Sequence, residues 1–184
     1  GVKHVWHELS TSSTISTTFL DGSNNSCDFK FPKHLMYVDR VYLDITLANA
    51  SEATDCVFAA SPCNLLTRTE LRVGGTVKDT ITDRDLFLSQ VVYKDNNEQA
   101  RVQMSNGIDP TTFAADESAS IPPESSKTWR IEIKSILDKC GIPICIVDDE
   151  ILLRFYVQGV ANLLGSGSAG DLSVTKYKLY VREL

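Results

Sequence analysis

Apolar and polar side chains alternate with a period of two through most of this chain, most clearly over residues 62–75, PCNLLTRTELRVGG. Leu65, Thr67, Thr69, Leu71 and Val73 fall on one side of an extended backbone, and Leu66, Arg68, Glu70 and Arg72 on the other. Successive side chains of a strand face opposite ways, so one face can be buried and the other wetted. Gly74 and Gly75 end the run, and glycine reaches positive φ without steric cost, which predicts a tight hairpin turn. The same period recurs in 14–20 (Ile15, Thr17, Phe19), 26–32 (Cys27, Phe29, Phe31) and 40–49 (Val41, Leu43, Ile45, Leu47). It returns in 128–135 (Trp129, Ile131, Ile133), 150–159 and 173–181, and the apolar run 143–147 is a further strand candidate. β-branched and aromatic residues are enriched in these runs, as half-buried pleated surfaces prefer.

Helical spacing is scarce. Thr82 and Asp85 resemble a capping box, and Phe87, Leu88, Val91 and Val92 recur at helical intervals, which predicts one helix within 82–96. A short helical turn is expected over 135–141, stopped by Gly141. Two long irregular connections, 105–127 and 162–171, are rich in Ser, Pro, Gly and Ala; connections of that length are usually functional or mobile. Many short strands with a single helix point to an all-β, antiparallel β-sandwich. The long excursions fit Greek-key connections better than an up-and-down meander. The expected fold is therefore an eight-stranded jelly roll with one short helix. Residues 1–25 are read as an N-terminal arm and first strand, and 26–184 as the jelly-roll domain. Val41, Leu43, Ile45, Ile131, Ile133, Leu153 and Phe155 share the inward phase and are predicted to fill one core between the sheets.

Composition narrows the function. The 184 residues allow one substantial core, and 24 acidic against 18 basic residues give a net charge of −6. No Lys/Arg run is present to neutralise phosphates, which argues against a nucleic-acid-coating protein. No apolar stretch approaches a membrane span, and GVKHVWHELS has no apolar signal-peptide core. Cys27, Cys56, Cys63, Cys140 and Cys145 form no Cys-x-x-Cys pair. Buried free thiols are the expectation, with a Cys56–Cys63 bridge left open.

The candidate chemistry is thin. GSGSAG (165–170) matches the dinucleotide-binding glycine pattern, but a strand-like segment follows it instead of a helix, and too few residues remain for the acid that binds ribose. It is read as a loop. His4 and His7 are three apart in a segment read as strand-poor, and are taken as surface histidines; His34 is taken as structural. Asp148, Asp149 and Glu150 are read as a hairpin tip. The sequons at Asn24 and Asn49 matter only for a secreted chain. No catalytic residue set assembles, and no metal or cofactor is expected.

Three segments, in order and spacing, resemble the jelly rolls of major capsid proteins of the tectivirus–adenovirus lineage: DFKFPKHLMYVDRVYLDITLAN (28–49), PCNLLTRTELRVGGTVKD (62–79) and TWRIEIKSILDKCGIPICIVDDEILLRFYVQG (128–159). Members of that lineage are mostly double jelly rolls, and this length accommodates one. The resemblance implies a structural virion protein, either a single-jelly-roll subunit or one half of a double one, assembling into pseudo-hexameric capsomers of an icosahedral shell. The partners it implies are further copies, a second capsid protein and an internal viral membrane beneath the shell, without direct contact to nucleic acid. Arg68, Glu70 and Arg72 are expected to pair within their sheet, and the resemblance adds contact with a neighbouring subunit. Leu152, Tyr156 and Tyr180 oppose the core phase of their strands and complete the candidate interface. A jelly-roll carbohydrate- or receptor-binding module is the competing reading. A cupin-type metal enzyme ranks last, because all three histidines precede residue 35.

Overall fold

The computed structural model describes residues 4–12, 20, 25–59, 61–89, 119–135, 137 and 143–183. In chain order its strands are β1 (Val5–Ser10), β2 (Asn25–Lys30), β3 (Val38–Asn49), β4 (Cys56–Phe58), β5 (Leu66–Val73) and β6 (Thr76–Thr82). After the helix α1 (Asp83–Phe87) come β7 (Ser120–Ile121), β8 (Ser126–Glu132), β9 (Ile151–Val157), β10 (Leu164–Ser166) and β11 (Leu172–Glu183). Two four-stranded antiparallel sheets run β1-β11-β3-β8 and β2-β9-β5-β6, and a small third sheet runs β10-β4-β7. Counted among the eight strands of the large sheets, the orders are first-eighth-third-sixth and second-seventh-fourth-fifth. Every chain-neighbour pair except the fourth and fifth, which form a hairpin, is split between the two sheets. That is the wrapped order of a jelly roll. The expected number of eight is met in the body, but β1 and β6 were not among the strands predicted from sequence, and the three short strands are additional.

The core forms where the alternation predicted it. Val41, Leu43, Ile131, Ile133, Leu153 and Phe155 are each 0% exposed and Ile45 is 2% exposed. Register aligns Leu43 with Ile131 on β8 and with Leu179 on β11, so one row of side chains crosses the sheet and faces the other sheet. Phe29 and Phe155 pack edge to face at 5.6 Å, and Tyr177 of the facing sheet stacks on Phe29 at 5.8 Å.

Several elements depart from the sequence reading. Leu66 is buried like Leu65. A 3-10 turn over Pro62–Leu65, capped by Ser61, precedes β5, and a register shift between Leu66 and Arg68 lets both leucines point inward. The run 143–147 is a 3-10 turn at Ile144–Ile146, not a strand. Its amides at Ile144 and Cys145 donate to the carbonyls of Met36 and Leu35, so its backbone is satisfied outside any sheet. The N-terminal segment is the edge strand β1, paired with β11 over its whole length. Only Leu9 in it is buried, so its period of two left almost no apolar trace. Helix α1 begins at the predicted capping box, with Thr82 and Asp85 bonded reciprocally; residues 90–96 lie outside the described residues. So do most of 14–20, 135–141 and 105–118. The stretch 162–171 holds β10 and a 3-10 turn at Ala169–Asp171 instead of an irregular loop.

At the predicted hairpin Gly74 and Gly75 take φ of 58° and 80°. A Cβ on Gly74 would come within 2.9 Å of the Asp149 carboxyl carbon, which that exposed side chain can relieve by moving, so the turn needs glycine chiefly for φ.

Candidate subunit interface

The outward face of the β2-β9-β5-β6 sheet gathers most of the predicted interface residues. Glu70, on β5, is only 6% exposed despite facing outward. It is covered by its own neighbours. Arg68 Nε lies 3.0 Å from one carboxylate oxygen, and Arg72 and the Tyr156 hydroxyl donate to the other at 2.8 and 3.2 Å. The Arg68 guanidinium sits 4.1 Å above the Tyr156 ring. One strand over, Arg154 makes two bonds of 2.7 Å to Asp28. That fork pairing raises the Arg154 guanidinium further above its ordinary value. Leu152 is half-buried on the same face, opposite Lys30 and Arg72.

Tyr180 lies on the other sheet, on the outward face of β1-β11-β3-β8, and so does not join this cluster. Its hydroxyl donates to Glu8 at 2.7 Å, and the Arg130 guanidinium lies 5.1 Å from its ring. Arg130 is in turn forked onto Asp44 at 2.7 and 2.8 Å, a cross-strand pair set by register. Arg182 is forked onto Asp39, and its guanidinium stands 5.8 Å from the Trp6 ring. Bonds from Lys178 and Tyr180 hold the Glu8 carboxyl below its ordinary range, as Arg182 does for Asp39. The sequence reading missed Asp39, Asp44, Arg130 and Arg182. Their only signal is opposite charge at facing positions, and that becomes visible only once register is known.

The candidate interface side chains are thus largely engaged within the chain. The hydroxyls of Tyr156 and Tyr180 are bonded and their rings are capped by cations, so neither is a bare apolar knob.

The remaining candidates resolve as follows. Gly167 of GSGSAG has φ of 93°, and a Cβ there would meet the Asp55 carbonyl and the Cys56 backbone at 2.8 Å. The glycine is required by close packing on β4, and the strand β11 follows where a nucleotide-binding fold has its helix. His7 Nε2 lies 2.7 Å from Glu183, and the His7 and His34 rings are 5.9 Å apart. Among the described residues no group of three or more His, Cys, Asp or Glu could hold a metal ion. No described helix is long and apolar enough to cross a membrane. The Lys33 ammonium donates to the carbonyls of Val147, Asp148 and Asp149, which makes it a cap for the acidic turn. Asn49 is 2% exposed. Its amide donates to the carbonyls of Thr54, Ile121 and Pro122, and its side-chain oxygen accepts from the Ser51 amide. That sequon is therefore closed to modification in the folded chain. Cys56 and Cys63 are both buried thiols with no disulfide between them; burial pushes the Cys63 thiol up to about 12.

No protein-family model matches this sequence. No curated protein matches it either. Solved structures do match in shape. The Faustovirus major capsid protein aligns over 98% of this chain at a TM-score of 0.68 and 9% identity. The PBCV-1 virus capsid aligns over 98% at 0.65 and 11% identity, and Sulfolobus Turreted Icosahedral Virus over 99% at 0.55 and 12%. The fold is the jelly roll that these capsid structures carry. The chain spans 54%, 41% and 45% of the length of those three chains.

Proposed function

We propose that this chain is a structural subunit of an icosahedral virion, working in the capsid shell and not as an enzyme. It assembles with further copies of itself, and with a second capsid protein, into pseudo-hexameric capsomers. The shell stands over an internal viral membrane and does not touch nucleic acid directly.

One observation carries this reading. The sheet order β1-β11-β3-β8 facing β2-β9-β5-β6 overlays three viral capsid structures over nearly the whole chain. Arg68, Glu70, Arg72, Leu152 and Tyr156 would form one flank contact and Tyr180, on the other sheet, a second. Obligate contacts of this kind bury upwards of ~2,000 Å².

Electron microscopy of the concentrated protein, alone and co-expressed with the other structural proteins of its virus, tests the proposal. A hexagonal capsomer lattice is the expected result. A chain absent from any lattice and retained on a glycan array would make it a carbohydrate-binding module instead.

A further inference from the structure

Six large apolar side chains stand exposed among the described residues: Val5, Trp6, Met36, Tyr37, Val77 and Ile146, between 37% and 68% accessible. Register puts all six towards one end of the sandwich, with Trp6 on the outward side of the β1-β11-β3-β8 sheet and Val77 on the outward side of the other, so Val5, Trp6, Met36, Tyr37 and Ile146 are the ones gathered around the β1–β3 side. Val5 of β1 and Val38 of β3 both pair with Glu183 of β11, and the connector bearing Met36 and Tyr37 enters β3 there. Ile146 belongs to the 143–147 turn, which is bonded to Leu35 and Met36. Val77 follows the Gly74–Gly75 turn, where the Gly74 amide donates to Glu150 just ahead of β9. Single exposed hydrophobics scattered over a surface need no explanation; their collection at one end does.

Charge separates this end from the other. Over residues 30–40, 72–79, 132–134, 143–150 and 182–183, Lys and Arg equal Asp and Glu in number, in a chain of net charge −6. The opposite end is joined by hydrogen bonds from Ala50 to Asp171 and from Glu124 to Ser51. Its loops 50–55, 122–125 and 167–171 carry Glu52, Asp55, Glu124 and Asp171 with no Lys or Arg. Two copies meeting through those three loops would repel. At the apolar end they meet without net repulsion, with both signs available to pair.

We infer that the apolar end is a contact surface whose occupant is a second copy of this chain, packed end to end about a two-fold axis in solution. A two-fold contact needs a self-complementary patch, and balanced charge around apolar side chains supplies one. Trp, Tyr, Met and Arg are the residues enriched in protein interfaces; Trp6, Tyr37, Met36, Arg40 and Arg182 lie towards this end, with Arg182 5.8 Å from the Trp6 ring. The patch is also held in place: one Glu183 oxygen bonds His7 and the other accepts the Met36 amide at 2.7 Å. An anionic bilayer fits less well, since Asp148, Asp149 and Glu150 adjoin Ile146 in the chain and would repel its headgroups.

The contact does not depend on the capsid reading, which places lateral contacts on the flanks. Sedimentation velocity of the full chain up to about 100 μM is the test, a range that detects micromolar association. The wild type should dimerise. Ile146→Glu and Trp6→Glu should each raise the dissociation constant at least about 30-fold, the size of a hot-spot loss. Both side chains are exposed, so circular dichroism of the variants should match the wild type. Emission from Trp6 should shift to shorter wavelength as concentration rises, and Trp6→Phe should abolish that shift. A monomer throughout the range overturns the inference, and so does a dimer indifferent to both substitutions. A monomer that floats with phosphatidylcholine–phosphatidylglycerol vesicles also overturns it, and would assign this end to a membrane. Lattice imaging reads the capsid proposal separately.

Discussion

Replacing Phe155 with alanine removes the side chain that joins the two sheets. Phe155 is 0% exposed, sits mid-strand on β9 between Cys27 and Thr69, and meets Phe29 at 5.6 Å and Tyr177 at 6.4 Å. Losing a fully buried phenyl forfeits about 2–3 kcal/mol of transfer free energy. A cavity of roughly 80 Å³ at ~24 cal/mol per Å³ adds about 2 kcal/mol if the walls stay in place. Of the neighbours named, Thr69 and Tyr177 belong to β5 and β11, strands paired on both sides, while Cys27 and Phe29 belong to the edge strand β2, so only partial collapse is expected. The working figure is about 4 kcal/mol, a large share of the ~5–15 kcal/mol that a domain has in hand. Urea unfolding followed by circular dichroism should show the midpoint falling by about 2 M, taking a slope near 2 kcal/mol/M. Phe155→Leu should lose much less. A loss under 1 kcal/mol in Phe155→Ala with an unchanged slope would mean that the ring does not fill the space between the sheets, and the phase argument for β9 would fail with it.

Other outcomes follow from single sites. Thr69 is 0% exposed and its hydroxyl has no hydrogen-bond partner among the described residues, so the isosteric Thr69→Val should stabilise by about 1 kcal/mol; destabilisation in the same urea assay would show that the hydroxyl is satisfied. Asn49→Ala should cost about 2–3 kcal/mol by leaving buried carbonyls unpaired, and an unchanged urea midpoint would show that those bonds do not hold the loop. The Met36 amide and His7 hold Glu183 below its ordinary 4.5. The resulting stabilisation is present above that value and is lost as pH falls below it, so Glu183→Gln should flatten the fall in urea midpoint between pH 5 and 3; an unchanged acid limb would rule the residue out. Gly167→Val should destabilise through its φ and its clash with the Cys56 backbone, and calorimetry on the wild type should detect no saturable NAD binding.

The β-architecture was legible because burial leaves a period-two trace wherever a strand has one dry face. β3 shows this fully, with Val41, Leu43, Ile45 and Leu47 all at or below 2% exposure. The trace fades where few side chains are buried, and β1 was invisible for that reason. It misleads where a continuous apolar run is buried without pairing, as at 143–147, whose backbone bonds to another loop. The Gly74–Gly75 turn was legible because its requirement is local, whereas the need for Gly167 comes from β4, more than a hundred residues away in the chain.

The surface was harder to read, for a physical reason. Outward-facing Leu, Tyr and Arg suggest an interface in sequence, but whether they are available depends on cross-strand partners. Tyr156 is closed by Glu70 and Arg68, and Tyr180 by Glu8 and Arg130. What stays open lies at the strand ends, on residues that no periodicity selects: Met36 and Tyr37 in a connector, Ile146 in a turn, and Val5 and Trp6 at the start of an edge strand. A side chain in mid-sheet has neighbours on both flanking strands to cover it, and one at a strand end has them on fewer sides. Apolar groups that must wait for a second molecule are therefore most easily kept at the ends of a jelly roll, where the sheets cannot close over them.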